Sequence, residues 1–170
     1  IKNPAPSKPS AWLIFADANV ARRLVPILRS RGEEIIEVRR GRAFRSLGKH
    51  MFEANPDSRE DFEQSLKLSA PTLSNKSVKV IYLWGLDTPP SKNLTTEALK
   101  QSTILTSLAP LNLVQAWDHH QECGRAELFV VTAGAQPDDN PTSPVSVAQA
   151  PLVGFGRVVA SEYDRLCTRL

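Results

Sequence analysis

The chain alternates between short apolar runs and longer stretches in which apolar residues recur every three or four positions. Residues 12–15 (Trp-Leu-Ile-Phe) are continuously apolar, as in a strand covered on both faces. Val20, Leu24, Ile27 and Leu28 then fall at i, i+4, i+7 and i+8, which predicts one buried helix face. Asp17 or Asn19 is placed to cap that helix, Pro26 to kink or shorten it, and Gly32 to end it. A second strand is expected at 34–39 and a short third at 51–56. A helix then opens at Asp57 or Ser58 and passes through Phe62 and Leu66, with Ser58 and Asp61 as a capping pair. Residues 78–84 (Val-Lys-Val-Ile-Tyr-Leu-Trp) give the strongest strand pattern, β-branched, aromatic and nearly all apolar. Residues 85–90 turn out of it. Thr95 caps a long helix to Trp117, with Ile104, Leu108, Leu111, Val114 and Trp117 on one side and a kink expected at Pro110. A fifth strand at 127–132, a polar loop at 133–144, a helix from Ser146 to Tyr163 and a last strand at 167–170 complete the series.

Strand and helix alternate five or six times. That order predicts an α/β fold, a parallel sheet with helices on both faces. Residues 1–10 carry Pro4, Pro6 and Pro9 and read as an extended linker, so that 11–170 form one domain attached to something larger. The formal charge is only +3, and the densest basic stretch is Arg39-Arg40-Gly41-Arg42. No nucleic-acid partner is expected from so mild a balance. No apolar run approaches the roughly 18 residues of a membrane span, so no membrane partner is expected either. Cys123 and Cys167 are too few for a disulfide framework; two reduced thiols and a cytoplasmic location are expected.

Residues 11–24 read as strand, tight turn and amphipathic helix, the way nucleotide-binding α/β domains open. Yet the turn holds Ala16, Asp17, Ala18, Asn19 and Ala21 and no glycine. Glycines there let the backbone approach a pyrophosphate. The architecture is present and the phosphate chemistry is missing. Arg39, Arg40 and Arg42 stand where a dinucleotide fold reads the ribose or its 2′-phosphate; without the glycine turn a solvated loop is the better reading. A reductase tyrosine needs a lysine four residues on to lower its pKa. Tyr82 has Leu86 there and Tyr163 has Cys167. Gly154-Phe155-Gly156 lies inside an apolar helical run, which favours close helix packing over a phosphate loop. His119, His120 and Cys123 lack evident partners for a four-ligand metal site, and a polar helix end accounts for the histidines. Asp138 and Asp139 are loop acids without a paired partner. The sequence therefore assigns no catalytic, cofactor-binding or metal-ligating residue.

Several segments are specific enough to carry a family resemblance. Trp12-Leu13-Ile14-Phe15-Ala16-Asp17 and Val80-Ile81-Tyr82-Leu83-Trp84-Gly85-Leu86-Asp87 resemble the first and fourth strand-and-turn units of the ketoreductase structural subdomain of modular type I polyketide synthases. Leu105-Thr106-Ser107-Leu108 with Leu113-Val114-Gln115-Ala116 is similar to its central helix, and Val130-Val131-Thr132-Ala133-Gly134-Ala135-Gln136 to its fifth strand and loop. Val147-Ala148-Gln149-Ala150-Pro151-Leu152-Val153-Gly154-Phe155-Gly156-Arg157-Val158, followed by Glu162, resembles its most recognisable segment. The resemblance covers residues 11–170. It implies a truncated Rossmann-like fold that is no enzyme by itself, holds no cofactor and packs against an NADPH-binding catalytic half in a multidomain synthase. Implied neighbours are dehydratase, methyltransferase or enoylreductase domains and, indirectly, an acyl carrier protein. The same half can belong to an inactive pseudo-ketoreductase that supports those neighbours. The competing reading is an independent nucleotide-binding enzyme domain that uses Arg39, Arg40 and Arg42 for a phosphate. Pro26, Pro110 and Asn19 depart from the family pattern.

Overall fold

A computed structural model describes residues 10–137 and 145–170. The prolines of the expected linker, together with Asp138 and Asp139, lie outside the described residues. Seven strands form one sheet in the order β3-β4-β2-β1-β5-β6-β7. They are β1 (Ser10–Phe15), β2 (Glu34–Arg40), β3 (Arg45–Gly48), β4 (Met51–Ala54), β5 (Ser77–Tyr82), β6 (Ala126–Val130) and β7 (Leu166–Arg169). All neighbours run parallel except β3, which pairs antiparallel with β4. The α/β class and the largely parallel sheet are as expected. The edge hairpin is not: β3 precedes β4 in the chain, where the sequence reading has only a solvated loop after the second strand. All four of its residues are exposed, so no apolar alternation marks it in the sequence.

Among the described residues five α-helices connect the sheet: α1 (Ala18–Ser30), α2 (Arg59–Leu73), α3 (Thr96–Thr103), α4 (Ala109–His119) and α5 (Ala150–Glu162). The register places Leu13, Ile36, Val80, Leu128 and Leu166 on one face and Ile14, Ile35, Ile81 and Phe129 on the other. On the first face, α2, α4 and α5 close a large core around Phe15, Phe62, Tyr82, Trp84 and Trp117. Phe15 stacks on Phe62 at 5.6 Å and meets Trp84 edge-on at 5.3 Å. On the second face, the smaller cluster of Ile14, Ala16, Ile35 and Leu83 is closed by Ala21, Val25 and Leu28 of α1. Among the described residues α1 is the only α-helix in that cluster.

Helix starts follow the sequence well. The Ser58 hydroxyl accepts from the Asp61 amide and opens α2; Thr95 accepts from Ala98 and opens α3. Gly32, at φ +78°, ends α1 after Arg31, a conformation only glycine adopts without strain. Three expectations need correction. Ile27 is 54% exposed, and the inward positions of α1 are Ala21, Val25 and Leu28. The helix at the chain's end begins at Ala150, and Ser146 starts a turn leading into it.

The third correction concerns the long helix from Thr95. It is broken by a π-helical turn at Ile104–Leu108, between α3 and α4. Pro110 accounts for the break. It has no N–H and its ring crowds the preceding turn. The Ala109 amide reaches back to the Ile104 carbonyl, five residues away. That wide turn rotates the helix phase by about one residue, or roughly 100°. Within α4 itself, at roughly 100° per residue, Leu111 lies about 120° from Trp117 and at the edge of the buried face, where it is exposed, while Leu113 joins Val114 and Trp117 inside.

Candidate functional site

Open α/β sheets bind ligands outside the carboxyl ends of their strands, where the strand order reverses. Here that place lies between β1 and β5. Asp17 follows β1 at the N-terminus of α1. Asp87 closes a 3-10 turn (Trp84–Asp87) after β5, and Arg40 is the last residue of β2. The Arg40 guanidinium donates from Nε to both Asp17 oxygens, at 3.0 and 2.9 Å, and from Nη2 to Oδ2 as well. The same Nη2 lies 3.3 Å from Asp87. The Asp17 carboxylate raises the Arg40 pKa above its ordinary value, and burial raises that of Asp87. Asp17 is the N-cap residue of α1, yet its side chain makes no cap hydrogen bond. The sequence expectation of a capping Asp17 is thus met in position and not in bonding.

Beside this ion cluster lies an open cleft of about 620 Å³. Arg40, Asn55, Asp57, Asp87 and Gln101 supply its polar wall, and Leu105 and Ile104 an apolar one. The remaining arginines expected near a 2′-phosphate are dispersed. Arg39 bonds Glu37 at 2.5 Å on the other side of β2, and Arg42 is exposed.

Tyr82 also reaches toward this end, but its hydroxyl is committed. It donates to the Leu105 carbonyl at 2.5 Å. In the π turn the Ala109 amide is spent on Ile104 and Pro110 has none to give, so the Leu105 carbonyl has no helical donor. The buried phenol fills that vacancy. Its burial holds the pKa well above the ordinary value, the opposite of what a proton-donating catalytic tyrosine needs.

The other sequence candidates are separated by the fold. His119 Nδ1 pairs with Glu63 at 3.2 Å and His120 Nδ1 with Glu122 at 2.7 Å, while Cys123 is buried in the main core. Desolvation pushes the Cys123 thiol up to about 12. Among the described residues no group of three or more His, Cys, Asp or Glu is placed to hold a metal ion. Gly156 meets the expectation of close packing: a Cβ there would lie 2.6 Å from Leu170. Gly154 faces open space. Gly85 is a packing glycine that sequence reasoning passed over as part of a turn; a Cβ there would stand 2.4 Å from Leu152 of α5. Among the described residues no helix is long and apolar enough to cross a membrane.

Comparison with known proteins places this geometry. The adenylation, ketoreductase and pseudo-Asub multidomain structure of a keto acid-selecting NRPS module is similar at 22% identity over 98% of this chain and 14% of that one, with a TM-score of 0.79. The first ketoreductase of the tylosin PKS is similar at 21% identity over 94% of this chain and 30% of that one, TM-score 0.64. An oxidoreductase of the short-chain dehydrogenase/reductase family from Brucella ovis, in complex with a partially ordered NAD, shares 15% identity over 92% of this chain and 78% of that one, TM-score 0.64. This chain therefore has the Rossmann-like fold of ketoreductases and spans less than a third of the two assembly-line chains. No curated protein matches the sequence. The family model for beta-ketoacyl synthase-like, N-terminal proteins matches residues 11–127, from the first strand to the start of β6. That match spans more than half of the chain, and this protein belongs to the beta-ketoacyl synthase-like, N-terminal family.

Proposed function

We propose that this chain is the non-catalytic structural half of a ketoreductase region in a multidomain polyketide-synthase-type enzyme. It packs against an NADPH-binding catalytic half and does not itself bind NADPH or reduce substrate. One observation carries the reading: the second face of the sheet is half built. Over β1 and β2 it is covered by α1, but toward β6 and β7 Phe129 is only partly buried, and Val131 and Cys167 are exposed. Lys79, Glu127 and Arg169 share this stretch, so among the described residues it is a mixed surface in which Phe129, Val131 and Cys167 are the apolar part that a partner would cover. The committed Tyr82 hydroxyl and the glycine-free first turn support the same reading.

The test is calorimetric titration of NADPH into the chain alone and into its mixture with the catalytic half of the same synthase. Silence of the chain alone with binding by the pair is the expected result. Stoichiometric binding by the chain alone overturns the proposal. If chain and mixture are both silent, the structural role stands and the region is an inactive pseudo-ketoreductase.

A further inference from the structure

Resting on that reading, we infer that Asp17, with Asp87, holds Arg40 so as to exclude anionic nucleotides from the cleft at the carboxyl ends of the strands. The cleft is open and holds about 620 Å³, so its own walls do not bar a ligand and the exclusion there is electrostatic; the glycine-free turn acts separately, at the start of α1. Arg40 is the one cation among the residues that line it, and Asp57 and Asp87 are lining carboxylates. Both oxygens of Asp17 and one of Asp87 engage that guanidinium, so little of its charge is left for a ligand. Asp17, Asp57 and Asp87 against Arg40 and Arg42, which lines the adjoining cleft, still leave the locality net negative, where a pyrophosphate would bring further negative charge. The place beside the start of α1, where a phosphate gains from the helix dipole, holds the chain's own carboxylate instead. Asp17 makes no cap bond there, so its side chain serves Arg40 and not the helix.

A purely structural staple joining β1, β2 and β5 would use the same contacts, and the experiment separates the two roles. Inorganic pyrophosphate and ADP are titrated at low salt into the wild type, Asp17→Ala and the double variant Asp17→Ala/Arg40→Gln. Circular dichroism and the thermal midpoint confirm folding. Wild type is expected to be silent. Asp17→Ala should gain at least about tenfold in affinity over the wild-type detection limit, and the added Arg40→Gln should abolish the gain. Should Asp17→Ala not fold, Asp87→Asn carries the test, with a smaller gain of about threefold. A folded Asp17→Ala that stays silent, with only a lowered midpoint, makes the cluster a staple and overturns the inference alone. A gain that survives Arg40→Gln overturns it too. Nucleotide binding by the wild type overturns both this inference and the functional reading beneath it.

Discussion

The two faces of the sheet are built to different standards. One carries α2, α4 and α5 and a core containing Phe15, Phe62, Tyr82, Trp84 and Trp117, each essentially without solvent contact. The other carries a cluster of seven smaller buried residues, three of them from α1 itself, and toward β6 and β7 its side chains meet solvent. Both faces come from the same strands, whose side chains alternate strictly between them. The difference therefore lies in what the connections bring. Every crossover toward β7 deposits a helix on the aromatic face, whereas β2 reaches β4 through the exposed hairpin strand β3 and deposits none. The larger core belongs to the first face, and the second is the one that the proposed partner would cover.

The largest effect should come from the aromatic face. Phe62→Ala leaves a cavity beneath Phe15 and Trp84 and is expected to cost about 3–5 kcal/mol in urea-monitored unfolding. A cost below about 1 kcal/mol would mean that this face does not dominate. Next come the two packing glycines. Gly85→Val drives a side chain into fully buried Leu152 and should cost about 1–3 kcal/mol. Gly156→Ala meets Leu170, which is 55% exposed and can swing aside, so its cost should stay below that of Gly85→Val. On the open face, Val131→Ser should change stability by no more than about 0.5 kcal/mol while weakening association with the proposed catalytic half. The smallest expected change is none at all. Iodoacetamide at pH 8.5 should label one thiol of the folded chain, exposed Cys167 on the open face. Cys123, with its pKa near 12, should react only after denaturation. Protection of Cys167 by the catalytic half would show that the open face is the one covered.

Much of this architecture was legible in the sequence because burial imposes a period. The runs at 12–15 and 78–84 announced central strands, and Ser58 and Thr95 announced helix starts through their own side chains. What could not be read depends on residues far apart or on no burial at all. β3 is exposed throughout and leaves no pattern. The π turn at Ile104–Leu108 left no apolar signature of its own, and Leu111 stands at the edge of the α4 face, where spacing alone does not separate inside from outside. The basic stretch after β2 was noticed, but the partners of Arg40 lie 23 residues before it and 47 after it, at Asp17 and Asp87. The glycine-free turn spoke against phosphate binding; that its aspartate reaches across to an arginine needed coordinates.

The wide turn at Ile104–Leu108 also bears on how such a chain can change over generations. A π turn is an insertion of one residue that a helix has absorbed without losing its course. Deleting one of these five residues would restore an unbroken helix only if Pro110 were replaced at the same time. The Leu105 carbonyl would then find a main-chain donor, and the Tyr82 hydroxyl, deep in the core, would lose its acceptor. Phenylalanine would become the better residue at 82. Wide turn, proline and tyrosine, drawn from a helix and a strand, thus form a single structural unit in which each member makes the other two tolerable.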